Sequence, residues 1–194
     1  MPTTHLHYLH GFRSSPSSTK ARIVAAWLQR SCPGVVWCCP QLAPSPRVAM
    51  DCVLTQIADW PARSMAVIGS SLGGFYATVV AQRLGCKAVL LNPAIEPARD
   101  LLHHVGEIKA WHSDERFEFR AEFIQELRAM HPARITDPQR YYAVIAKGDE
   151  VLDWREMAAR YAGCRMELLE GGDHALSDFT SHLPRIAQFL ELPG

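Results

Sequence analysis

Short apolar runs recur along the chain and alternate with longer stretches in which apolar residues return at helical spacing. His5 to Leu9, Val35 to Cys39, Met65 to Ile68, Ala88 to Leu91, Tyr141 to Ala146 and Met166 to Leu169 predict six strands, the last interrupted by Glu167. Met65 to Ile68, apolar at every position, predicts a strand covered on both faces. Between strands, Ile23, Val24, Trp27 and Leu28, and then Met50, Val53, Leu54 and Ile57, each share one helical face, with Pro33-Gly34 and Pro61 as stops. Phe75 to Leu84 predicts a helix closed by a glycine C-cap at Gly85. Alternating strands and helices imply an α/β fold, a compact, mostly parallel six-stranded sheet flanked by helices.

One connection breaks the rhythm. Pro93 to Arg140 separates two strands by far more than the dozen or so residues that a simple crossover needs. Glu96 to His104 predicts one short helix, and Arg120 to Met130 a second whose Phe123, Ile124, Leu127 and Met130 share a face. A small helical cap over an active site, a packing helix and a homodimer surface are the readings this insertion (residues 93–140) allows.

Composition narrows the class. The chain of 194 residues predicts one domain, able to bury roughly 70% of its unfolded surface. Lys+Arg and Asp+Glu balance at 20 each, so no excess positive charge points to nucleic acid or an anionic membrane, and a small-molecule substrate fits better. Met1 to Tyr8 lacks a basic segment followed by a long apolar one, and no stretch reaches the length of a membrane span. A cytoplasmic location is expected. The six cysteines form no C-x-x-C pair, which predicts reduced, mostly buried thiols rather than disulfides.

The chemistry is carried by Gly69-Ser70-Ser71-Leu72-Gly73, set between a buried strand and a helix. A G-x-S-x-G run can be an ordinary strand-to-helix turn. At a sharp strand–turn–helix junction it is a nucleophile elbow, which lifts a serine hydroxyl to the N-terminus of the helix. Ser71 would be the nucleophile, and the Leu72 N–H and the positive end of the helix would face an oxyanion. A serine hydroxyl needs a base and a carboxylate to orient that base. Gly148-Asp149-Glu150-Val151-Leu152-Asp153 follows the fifth strand, and Glu170-Gly171-Gly172-Asp173-His174 follows the sixth. Serine, then acid, then histidine, each at the carboxyl end of a strand, is the α/β-hydrolase order. Asp149 is expected to be the acid and His174 the base. Asp153 is expected to cap the next helix and is the reserve acid, while Asp173 adjoins the histidine too closely to orient its ring.

The second oxyanion donor is expected from the loop after the first strand, His10 to Ser15, with the Phe12 N–H as donor and Gly11 allowing close approach. Gly11, Arg13 and Ser14 are the expected substrate contacts, and His10 is expected to shape this loop by hydrogen bonding. His5 and His7, two apart on one strand face, offer a metal alternative with no third ligand at a recognisable spacing.

These stretches resemble the small bacterial esterases of the YqiA type, within the α/β-hydrolase superfamily. The similarity runs nearly end to end: Tyr8 to Ala21, Pro40-Gln41-Leu42, Gly69 to Gly74, Asn92-Pro93-Ala94, Gly148 to Asp153, and Gly171 to Ala175. It implies a compact hydrolase of carboxylic esters or acyl thioesters, with Ser71, Asp149 and His174 matching the family triad. Leu176 replaces an expected phenylalanine, and Trp111 to Phe119 differs from the corresponding cap, so acyl preference is not carried over. The expectation is a serine hydrolase of small ester or acyl substrates, requiring no cofactor. An acyl-CoA thioesterase, with Arg13 and Lys20 near phosphates, is one alternative, and a non-catalytic hydrolase-fold binding module is another.

Overall fold

A computed structural model describes residues 1–109 and 116–192. In chain order the sheet strands are β1 (His5–Leu9), β2 (Val36–Cys38), β3 (Met65–Ser70), β4 (Lys87–Leu91), β7 (Tyr141–Ala146) and β8 (Arg165–Leu169). The sheet runs β2-β1-β3-β4-β7-β8 and every pairing is parallel. The six predicted runs are these six strands; His5–Leu9 and Tyr141–Ala146 match at both ends and the other four differ by one or two residues. β3 continues to Ser70 because its pairing with β4 extends to Ser70↔Leu91. β2 is shorter than expected because it is an edge strand, paired only with β1 and with Val36 exposed.

The helices α1 (Thr19–Ser31), α2 (Pro46–Gln56), α3 (Leu72–Leu84), α6 (Trp154–Arg160) and α7 (Leu183–Leu190) connect or follow the strands. α1 and α7 pack one face of the sheet through Val24, Leu28, Leu183 and Ile186. α2 and α3 pack the other through Met50, Val53, Phe75 and Val79. α3 ends as predicted, on Gly85 in the left-handed region at φ 73°. Among the described residues no helix is long and apolar enough to cross a membrane.

The long insertion contains both expected helical segments and adds a hairpin between them. The first is a single turn, α4 (Pro97–Asp100), followed by a 3₁₀ turn at Leu102–His104. It is followed by an antiparallel pair, β5 (Gly106–Lys109) with β6 (Arg116–Phe119), before α5 (Ala121–Met130). The insertion is therefore part strand, a correction to the helical expectation. Its four-residue strands alternate Ile108, Phe117 and Phe119 with charged residues, a period of two too short to stand out in the sequence. Of the divergent stretch Trp111 to Phe119, residues 111–115 lie outside the described residues. α5 buries Phe123, Ile124 and Leu127. Glu126 fastens it to the start of α2, its Oε2 accepting from Ser45 Oγ at 2.7 Å and from the Arg47 N–H at 3.0 Å.

Strand order places the site. The chain moves from β1 outward to β2 and then back across β1 to β3, so loops leaving the carboxyl ends of β1 and β3 turn to opposite sides and open a crevice between them. Leu9 pairs with Gly69 at that end, which sets the loop after β1 beside the turn after β3.

His5 and His7 are held by local partners. The His5 ring sits 4.9 Å from Trp60 with Nδ1 2.8 Å from Thr4 Oγ1, and His7 Nε2 donates to Gln56 Oε1 at 3.3 Å. His7 is fully buried, and burial pushes its pKa from 6.5 down to about 4. A base with a depressed folded-state pKa binds more protons when unfolded. Its contribution is therefore intact above about pH 6.5 and is lost as pH falls toward about 4, by about 3 kcal/mol at most. Urea unfolding across that window should show a shallower loss of stability for His7→Gln than for the wild-type protein.

Candidate active site

The turn after β3 is too tight for side chains. A Cβ on Gly69 would stand 2.1 Å from the Gly73 carbonyl oxygen, and one on Gly73 would stand 1.9 Å from the Leu9 carbonyl oxygen. Ser71, between them, adopts φ 56°, ψ −120° and forms the N-cap of α3, a strained conformation that costs on the order of 1–3 kcal/mol. Four backbone bonds hold it there: the Ser71 N–H donates to Leu91 O, while Ser71 O accepts from the N–H groups of Gly74, Phe75 and Ala94.

Three side chains from separate loops then meet. Ser71 Oγ lies 3.0 Å from His174 Nε2, and His174 Nδ1 lies 2.7 Å from Asp149 Oδ2. Asp149 accepts at Nδ1, so that nitrogen carries the proton and Nε2 is left as the acceptor for the serine hydroxyl. The Asp149 side chain is fully buried, and its Oδ1 accepts the N–H groups of Val151 and Leu152, both at 2.8 Å. Asp153 caps α6 by accepting from Arg155 N, and Asp173 accepts from Ser177 N and Oγ. Both alternative acids are thus engaged elsewhere.

The histidine loop is clamped from several sides, and here the structure adds residues whose roles the sequence did not reveal. Asn92, fully buried at the end of β4, donates through Nδ2 to Asp173 O at 3.0 Å and to His174 O at 3.2 Å. Its Oδ1 accepts the Ala146 N–H at 2.8 Å. One amide therefore ties β4, β7 and the loop after β8 together. The signal available was an asparagine directly after a strand, where its φ of 41° is one that asparagine tolerates. Glu150 Oε2 accepts the His174 N–H at 3.0 Å, and Lys20 Nζ donates to Ala175 O. Burial lowers the Lys20 pKa, and the charges of Asp173 and Asp149 oppose that shift.

The loop after β1 completes the surroundings. The His10 ring donates from Nδ1 to Gly11 O at 2.9 Å and accepts the Leu42 N–H on Nε2 at 3.0 Å, which gives the loop its shape. Among the described residues, the Phe12 N–H and the Leu72 N–H donate to no acceptor of the chain; Leu72 opens α3, where an N–H has no intrahelical partner. A Cβ on Gly11 would stand 3.8 Å from Ser71 Oγ, so this glycine borders the serine. Gly11, Phe12, Arg13 and Ser14 all line a cavity of about 550 Å³ that also reaches Ser71, Leu72 and His174. Arg13 is not solely a cavity group: its Nε donates to Lys109 O on β5.

This architecture is that of the α/β-hydrolases. The chain matches a hydrolase assignment from Agrobacterium vitis S4 at 17% identity, with a TM-score of 0.76 over 98% of this chain and 91% of that one. Mouse alpha/beta hydrolase domain-containing protein 10 matches at 17% identity and 0.69, over 97% and 91%. Est1E from Butyrivibrio proteoclasticus, with ferulic acid bound, matches at 15% and 0.69, over 98% and 87%. Within that fold, the chain belongs to the uncharacterised protein family UPF0227, whose model matches residues 5–191.

Asn92→Ala would leave the buried Ala146 N–H without its side-chain acceptor and two carbonyls without their donor. A loss of about 2–4 kcal/mol in unfolding free energy is expected, measured by chemical denaturation.

Proposed function

We propose that this protein is a serine hydrolase of carboxylic esters that works through an acyl-enzyme intermediate. The observation that carries the reading is the continuous relay from Ser71 Oγ through the His174 ring to the buried Asp149, at 3.0 Å and 2.7 Å. His174 Nε2 takes the hydroxyl proton as Ser71 Oγ bonds to the acyl carbon. The Phe12 and Leu72 N–H groups receive the oxyanion. As the tetrahedral intermediate collapses, His174 returns the proton to the leaving oxygen, and the alcohol departs. A water, deprotonated by the same nitrogen, then releases the acid and restores Ser71. No step calls on a cofactor. Asp149 acts by holding the ring in the tautomer that leaves Nε2 free and by stabilising the imidazolium.

In this reading the chain is a single cytoplasmic domain whose insertion at residues 93–140 serves as a cap. His104 from the 3₁₀ turn and Pro97 and Asp100 from α4 line the cavity that holds Ser71. The substrate is a small oxygen ester or a thioester, and matched pairs of the two, compared by kcat/KM, separate them.

Ser71→Ala or His174→Ala should lower kcat by about 10⁶-fold, and Asp149→Asn by about 10⁴-fold. Asp153→Asn should stay within a few fold of wild type, since that carboxylate caps α6. A fluorophosphonate probe should label the wild-type protein and not Ser71→Ala; equal labelling of both, or none of the wild type, overturns the proposal.

A further inference from the structure

An ester extends in two directions from its carbonyl carbon, and two unequal cavities flank the loop from Gly11 to Ser14. The larger, about 550 Å³, touches Ser71, His174, Glu150 and Lys20. The smaller, about 260 Å³, shares Gly11, Phe12, Arg13, Ser14 and Leu72 with it but touches neither Ser71 itself nor the acid and histidine loops. Its remaining wall combines Leu42, Ala43, Pro44, Tyr76 and Phe117 with His10 and Gln41. Whole small-molecule sites usually measure about 300–1,000 Å³, so the smaller space suits part of a substrate.

Resting on the serine-hydrolase reading above, the stereochemistry allocates the two halves. The group that protonates the leaving oxygen is His174, so the alcohol half lies on the histidine side, in the larger cavity. The carbonyl oxygen faces the Phe12 and Leu72 N–H groups. The remaining substituent, the acyl chain, is directed away from His174 and along the wall formed by those same two residues. Gly11 borders both cavities and carries no side chain to close the space beside Ser71 Oγ.

The chemistry of the smaller cavity fits hydrocarbon. Three of its polar side chains have partners in the protein: His10 binds Gly11 O and the Leu42 N–H, Gln41 Nε2 donates to Ser14 O, and Arg13 Nε donates to Lys109 O. Tyr76 is 2% exposed, and the ring of Phe117 meets the ring of Phe12 edge-on at 6.3 Å. Most of the surface that remains open is aliphatic and aromatic, and its burial favours a group that asks for few hydrogen bonds.

We propose that the cavity bounded by Leu42, Ala43, Tyr76 and Phe117 is the acyl pocket, selecting short apolar acyl chains, and that the larger cavity takes the leaving alcohol or thiol. The hairpin residue Phe117 makes the insertion a determinant of acyl length.

The test uses the full chain with p-nitrophenyl acetate, hexanoate and laurate, alongside alkyl and aryl butyrates that vary only in the alcohol. Ala43→Phe should lower kcat/KM for hexanoate relative to acetate by about 10-fold or more. Phe117→Ala should move the preference toward longer chains. Val151→Trp, in the larger cavity, should change the ranking of the alcohols and leave the acyl ranking as in wild type. The proposal is overturned if neither pocket variant changes the acyl ranking, or if Val151→Trp is the one that does. Fluorophosphonate labelling of the wild type separates the two levels: labelling with an unmoved acyl ranking removes the pocket assignment alone, and no labelling removes the hydrolase reading with it.

Discussion

The contact on which the rest depends is the approach of the turn after β3 to the backbone of its neighbours. Gly73 lies so close to the Leu9 carbonyl, and Gly69 so close to Gly73, that no side chain fits at either place. That closeness forces Ser71 into the left-handed region and aims its hydroxyl into the crevice beside the loop after β1. The strain is tolerated because β3 is buried along its whole length and α3 is buried over most of its own. The cost is spread over packing that would be present whatever residue stood at the turn.

In the proposed mechanism a serine so placed needs a base held at the right distance, and the histidine loop is held by polar rather than apolar means. The loop from Asp173 to Ala175 has little buried hydrocarbon of its own. It is secured by the Asn92 amide, the Glu150 carboxylate and the Lys20 ammonium, each bonded to its backbone rather than to the ring. The imidazole is thereby left with two partners, Asp149 and Ser71. In the proposed mechanism this division separates the groups that position the loop from those that would exchange a proton, so the ring could gain and lose charge without disturbing its own support.

The insertion joins this arrangement through its rings. Phe12, on the loop beside Ser71, meets His104, Phe117 and Phe119 at 5.3, 6.3 and 5.1 Å. Phe119 and Phe123 continue that contact into the core at 5.5 Å. The loop that borders the serine is therefore braced from outside by the segment least like an ordinary crossover. Changes in the hairpin reach the loop beside Ser71 through the Phe12 ring and through the bond from Arg13 Nε to Lys109 O.

Much of the protein was legible in its sequence. Runs such as Tyr141 to Ala146 are apolar at every position because a central parallel strand is covered on both faces, and no periodicity has to be untangled to see them. The order of Ser71, Asp149 and His174 was legible for a related reason: each follows a strand, and strands in a parallel sheet deliver their carboxyl ends to one side. The hairpin was not legible, because four-residue strands with alternating charge leave too little pattern to distinguish from a loop. Nor were the clamp of Asn92, the backbone bond to Glu150 and the second cavity. These depend on which strand ends become neighbours, and Asn92 and His174 meet only once β7 has been inserted between β4 and β8. Local pattern determined the elements and the order of the reactive groups; distances between loops far apart in the chain were decided by tertiary structure, since no residue encodes its separation from another until the sheet has fixed both.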